Sequence, residues 1–300
     1  MSLRIVEFFG YAPDDQSATA VAARRNKHCP FLEANCTKTL SDGLISGACT
    51  LQPATSGPVI CCPNRLYAED YRILSDVATS AFGEGTRLIP AQEAARARHD
   101  GRNVAVFGKR WGKELRLPQK GGRGAYFVDW ILALIDADGS LGDFVAVEVQ
   151  AIDTTGNYRK ERDAYLRNRA FTGSSKAGLN WENVSKRILP QIIYKGHVLR
   201  REPLCRRGLF FVCPTPVYNR IQVRLGNALL AYPIQPGSLT FRWYTPGPAV
   251  PGGGHRELLF EGQFTTTIDQ VAVAFTAPTN LPPAGVYQEA IQAELGRNGG

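Results

Sequence analysis

Long apolar runs are missing from this sequence. No stretch approaches the ~20 apolar residues that a membrane-crossing helix needs, so a helical span is excluded. The opening residues carry Glu7 and then Tyr11-Ala12-Pro13-Asp14-Asp15, without the apolar segment or cleavage site of an export signal. The expected location is the cytoplasm. Histidine is scarce: His28, His99, His197 and His255 are scattered, which disfavours histidine-based nuclease sites. There is no G-x-S-x-G nucleophile turn. Gly101 to Gly108-Lys109 has the wrong spacing for a phosphate-binding loop, and Arg110 follows where Ser or Thr is needed. No internal repeat is visible.

What is present is a chain of 300 residues with 44% hydrophobic residues, an ordinary globular composition. The length fits one domain with an appended module. The net charge of +8, from 35 basic and 27 acidic residues, points toward a polyanionic partner. Three basic groups stand out. The first is Arg96, Arg98, Arg102, Lys109, Arg110, Lys113, Arg116, Lys120 and Arg123; the second is Arg159, Lys160, Arg162, Arg167 and Arg169; the third is Arg200, Arg201, Arg206 and Arg207. A solvated surface is the alternative for any one of them.

Five of the seven cysteines lie between positions 29 and 62, and Cys205 and Cys213 stand apart. An odd count without an export signal argues against a disulfide framework. Cys29, Cys36, Cys49 and one of Cys61 and Cys62 can supply four thiolates to one tetrahedral ion. The alternative is a set of buried free thiols. Such a metal would stabilise a segment too small to bury its own core. Residues 1–65 accordingly read as a loop-rich metal-binding module without helical periodicity, and 66–300 as the main domain.

Along that domain, apolar spacing predicts a helix over 66–82, closed by Gly83 and Gly85. The alanine-rich stretch 90–99 also reads as helix. Strands are expected over 103–107, 126–135 and 143–152, the last two joined as a hairpin by Asp136-Ala137-Asp138-Gly139. Helices follow over 158–169 and 181–201, broken near Pro190. Residues 208–214 and 221–230 read as strand or strand-plus-turn, 239–244 and 258–275 as β structure, and 286–296 as a helix.

The chemistry concentrates on that hairpin. In Val147-Glu148-Val149-Gln150, Val145, Val147 and Val149 share one face, and Glu148 and Gln150 share the other, about 7 Å apart. A partner strand carrying Asp129 can set a second carboxylate beside Glu148, giving oxygen ligands for a hard divalent cation such as Mg²⁺. Glu114 is a third carboxylate upstream. One acid, a hairpin, then acid-x-polar resembles the PD-(D/E)xK nuclease core, with Gln150 where lysine is usual. Glutamine can orient a water but supplies no positive charge.

Taken together, Phe8-Phe9-Gly10-Tyr11, Cys29-Pro30-Phe31, Cys36, Cys49, Cys61-Cys62-Pro63-Asn64-Arg65, Tyr126-Phe127-Val128-Asp129-Trp130 and the run from Val147 to Gly156 resemble the NotI family of restriction endonucleases. The resemblance implies an α/β fold with a PD-(D/E)xK core, a mixed sheet flanked by helices, and an N-terminal four-cysteine metal-binding module. It implies a homodimer that cuts GC-rich palindromic double-stranded DNA with Mg²⁺. It implies a structural iron in the knot, zinc being the alternative, on Cys29, Cys36, Cys49 and Cys62, with Cys62 favoured over Cys61 because a proline follows it. Asp129, Glu148 and Gln150 fall at the family's catalytic positions, and Glu114 where a further acid is expected. The shorter chain implies fewer base contacts. Two rivals remain: a metal-knot DNA-binding regulator with incidental carboxylates, and a repair or modification-dependent nuclease.

Overall fold

A computed structural model of the chain describes residues 3–111, 114–118, 125–226, 228–277 and 281–297. In chain order the elements begin with β1 (Leu3–Phe8), α1 (Ala18–Asn26), β2 (His28–Cys29), β3 (Ala34–Asn35), β4 (Ala48–Pro53), β5 (Val59–Ile60), α2 (Ala68–Phe82), β6 (Arg87–Pro90) and α3 (Ala91–Ala94). Next come β7 (Asn103–Gly108), β8 (Arg116–Pro118), β9 (Ala125–Phe127), β10 (Trp130–Ile135), β11 (Leu141–Val149), β12 (Thr154–Thr155), α4 (Arg159–Leu166) and β13 (Gly178–Leu179). The remainder is α5 (Leu189–Leu199), β14 (Leu209–Pro214), α6 (Thr215–Leu225), β15 (Ser238–Pro246), β16 (Leu258–Thr267), α7 (Ile268–Thr276) and α8 (Val286–Arg297).

The centre is a seven-stranded sheet in the order β16-β15-β14-β11-β10-β7-β6. It is mixed: β11–β14, β14–β15 and β6–β7 are parallel, and the other pairs antiparallel. Both faces are covered. On one, Leu132, Val145, Val147 and Phe210 pack with Ile73, Leu74 and Val77 of α2 and with Phe8, Leu51 and Ile60. On the other, Ile131, Ala146, Phe211 and Phe241 pack with α5, α6 and α7. Helices therefore flank the sheet on both faces, as the family resemblance implies.

Several local expectations change. Residues 1–65 contain a nine-residue helix, α1, which Ser17 caps by accepting from Ala20 N at 3.3 Å. They also contain a small sheet, β1-β4-β5. The alanine stretch at 90–99 yields only the single turn α3, after the edge strand β6; the Ala94 carbonyl is engaged by His99 at 2.8 Å. The start of 221–230, expected as strand or strand-plus-turn, belongs to the helix Thr215–Leu225, because Val217, Tyr218, Ile221 and Leu225 are buried at helical spacing. The expected β structure over 258–275 stops at Thr267, whose hydroxyl accepts from Gln270 N and starts α7. The backbone over 126–135 is two strands, interrupted at Val128 and Asp129.

Candidate active site and candidate metal knot

The hairpin forms in the expected register. Gly139, at φ +84°, sits in the turn, and Trp130 pairs with Val147. Asp129 lies one step past the end of that ladder, and its carboxyl meets the Glu148 carboxyl in a side-chain hydrogen bond. The break between β9 and β10 turns the Asp129 side chain so that Oδ2 accepts from Val149 N at 2.8 Å. Gly108 makes this close approach possible. A Cβ there would meet the Trp130 ring at 2.2 Å and the Asp129 carbonyl oxygen at 2.9 Å. Glu148 stands at the C-terminal end of β11, with its side chain 13% exposed. Gln150 lies just past the strand, and its Nε2 donates to Ala151 O at 2.8 Å.

The electrostatics follow from this crowding. Burial, then the neighbouring Asp129, pushes Glu148 up to about 8, against the opposing pull of Lys195. Desolvation also raises Asp129, and Glu114 adds to it. Asp129 as a residue is exposed, yet its carboxyl is closely surrounded. Glu114, Asp129, Lys109 and Arg110 line a cleft of about 200 Å³, walled by Tyr67, Tyr71 and Trp130. Trp130 Nε1 donates to Tyr67 OH at 3.1 Å, and the Tyr67 and Tyr71 rings stack at 5.1 Å. A larger cavity of about 720 Å³ lies near Trp181 and Arg220, but its one carboxylate, Glu182, pairs with Lys186. It has no acid pair, so chemistry and not volume selects the smaller cleft.

Sequence reasoning missed Lys195. Its Nζ donates to Glu148 Oε1, and the two side chains are 11% and 13% exposed. The signal lay in spacing. Ile188, Ile192, Lys195 and Leu199 recur at helical intervals, and all are buried, so this lysine occupies a core-facing stripe. A buried lysine without a partner would be costly.

The basic groups separate in space. Lys109 and Arg110 are exposed at the cleft end of β7, and Lys160, Arg167 and Arg169 are exposed on or after α4. Arg162 is buried and donates to Ile45 O at 2.7 Å, so it is not available to a phosphate. Arg207 lies 3.4 Å from Asp143, five residues before Glu148 on β11, which places that arginine's partner ~17 Å along the strand from Glu148. Lys113, Lys120 and Arg123 lie outside the described residues.

All seven cysteines are free and buried. Burial pushes Cys29 up to about 11 and Cys62 up to about 12, and holds Cys49 well above the usual thiol range. Cys49 feels Cys62, Cys29 and Cys36, while Cys62 feels Cys61 and Cys36, so these cysteines lie within electrostatic reach of one another. Cys61 is occupied differently: Lys38 Nζ lies 3.2 Å from its sulfur and also donates to its carbonyl. Among the described residues, no three His, Cys, Asp or Glu side chains are grouped as a ready metal site. Cys205 and Cys213 are buried elsewhere. No helix among the described residues is long and apolar enough to cross a membrane.

Compared with known families, residues 16–204 match the model for restriction endonuclease NotI. That span takes in every residue of the acid cluster and all five clustered cysteines. No curated protein matches the chain.

Proposed function

We propose, for a chain that belongs to the NotI family of restriction endonucleases, that Asp129 and Glu148 are the acids of a PD-(D/E)xK site cutting GC-rich palindromic double-stranded DNA. The observation that carries this reading is the meeting of the Asp129 and Glu148 side chains at the end of the β10–β11 hairpin, beside a cleft bordered by Lys109 and Arg110. The donor set suits Mg²⁺: burial and the neighbouring Asp129 raise the proton affinity of Glu148, and a hard cation held by the two acids would offset that crowding of negative charge. When bound, Mg²⁺ supplies charge stabilisation at the attacked phosphate. Asp129 and Glu148 hold it. Gln150 spends its amide N–H on Ala151 O, which leaves Oε1 to accept from a water. Glu114 assists in orienting that water from the cleft wall. Lys109 and Arg110 neutralise backbone phosphate, so affinity falls as salt rises. A palindromic target matches a two-fold homodimer.

Residues 1–65 serve as a four-cysteine metal-binding module on the 66–300 nuclease domain. Cys29, Cys36, Cys49 and Cys62 hold a structural iron, with zinc as the alternative. Their burial and the mutual repulsion of their thiolates support this reading, and the engagement of Cys61 by Lys38 favours Cys62 as the fourth ligand. Cys62→Ser is expected to lose the bound metal and several kcal/mol of stability, whereas Cys61→Ser keeps its metal. Elemental analysis and melting of both variants check this; the reverse pattern would exchange the two assignments.

The cleavage reading is tested by digesting a GC-rich viral DNA with Mg²⁺ beside an Asp129→Ala control. Discrete fragments from the parent alone are expected, and sequencing their ends defines the site. Intact DNA with binding retained would favour the regulator, and a smear without bands a repair or modification-dependent nuclease.

A further inference from the structure

An acid-x-Lys motif carries its own cation, but here Gln150 stands at that place just past the strand, and the cation beside the acids arrives from another element. Lys195 lies on the core-facing stripe of α5, between Ile192 and Leu199. The helix is fixed in rotation there. Gly196 touches Ile268 of α7 so closely that a Cβ would meet its Cδ1 at 2.2 Å. With that azimuth set, the lysine stem runs among apolar neighbours and its ammonium ends on Glu148 Oε1. Asp129 also feels this charge.

Resting on the assignment of Asp129 and Glu148 above, we infer that Lys195 is the positioning residue that replaces the missing strand lysine, holding Glu148 as an aimed carboxylate and supplying the site's fixed positive charge. It acts through Glu148. The charge has been moved from the strand to the helix across the sheet face, and the glutamine at position 150 is the vacated place.

This makes relocation the decisive experiment. Lys195→Met is expected to lower kcat about 100-fold, with KM within about threefold, on a plasmid bearing the site that digestion defines. Adding Gln150→Lys to Lys195→Met should recover activity to within about tenfold of the parent. Lys195→Arg keeps the charge and serves if Lys195→Met does not fold; it should retain about a tenth of parental kcat or more, against a deeper loss for Lys195→Gln. A second readout needs no turnover. Calorimetric titration with Ca²⁺ should show Lys195→Met binding no tighter than the parent. Ca²⁺ binding about tenfold tighter would show that Lys195 merely holds the cation's place, and would overturn the inference. Parental cleavage by Lys195→Met, or no recovery on adding Gln150→Lys, would overturn it too. Asp129→Ala separates the two levels. If that variant is dead and Lys195→Met is fully active, only this inference fails; if Asp129→Ala is active, the assignment of the acids fails.

Discussion

Replacing Asp129 by asparagine is expected to abolish DNA cleavage while raising the melting temperature of the metal-free protein. The two effects share one cause. Asparagine keeps an oxygen able to accept from Val149 N, so the backbone contact at 2.8 Å survives. It removes the negative charge that, after burial, does most to raise Glu148. A carboxyl pushed upward on folding binds its proton more tightly in the folded state. Its contribution to stability is then present at low pH and is lost as pH climbs through the folded value, about 8 for Glu148. The gain from Asp129→Asn should therefore be small at pH 5 and largest near pH 8, on the order of 1–2 kcal/mol. A shift of about 2–4 °C per kcal/mol follows for a domain of this size. Cleavage should fall about a thousandfold, equivalent to about 4 kcal/mol of transition-state stabilisation. Melting curves at the two pH values, with digestion of the same preparation, check both halves. A variant that melts lower than the parent at pH 8, or still cuts, would remove Asp129 from this role.

Arg65→Met is expected to cost the most stability of any single change considered. Arg65 and Glu7 are both fully buried, with Nε 3.0 and 2.9 Å from the two carboxylate oxygens. Thr50 donates to the same carboxylate, Arg65 Nη2 donates to Arg256 O at 2.7 Å, and the guanidinium lies 4.8 Å from the Phe31 ring centroid. Methionine fills much of the volume but leaves Glu7 as an uncompensated charge. Breaking a buried pair in this way costs about 3–5 kcal/mol. Melting should fall by about 10 °C or more. Glu7→Leu added to Arg65→Met removes the stranded charge and should recover most of the loss. Denaturant unfolding of the single and double variants decides it. A single variant within about 1 kcal/mol of the parent would mean that the pair is energetically idle.

The meeting of Asp129 and Glu148 was legible in the sequence because a hairpin is a local object. The turn at Asp136–Gly139 and the alternation of Val145, Val147 and Val149 determine which residues face each other, and the family resemblance supplied a reason to look there. Lys195 was not legible in the same way. It enters from a helix, and only the packing of α5 on the sheet, set by Gly196 against Ile268, decides where its ammonium ends. Residues 221–225 and 268–275 fell within stretches read as β structure because short apolar stretches fit both periods. The structure chose helix where Pro216 and the Thr267 cap permit it and where a buried stripe already waits on the sheet. Arg162 shows the opposite lesson. A basic residue within a basic run looked like a phosphate contact, yet its neighbours in space are Ile45 O and Asp163.

The aromatic wall of the cleft has an optical consequence. The chain has four tryptophans. Trp130 follows Asp129 directly, is 3% exposed, and meets the rings of Tyr67 and Tyr71 edge-on. Trp111 meets Tyr71 in the same manner. Trp181 and Trp243 lie apart, the latter stacked on Tyr218. A cation or a DNA strand entering the cleft changes the field around Trp130 and Trp111 and not around the other pair. The protein thus carries its own fluorescent reporter of site occupancy, and Trp243→Phe with Trp181→Phe would darken the background without touching the cleft.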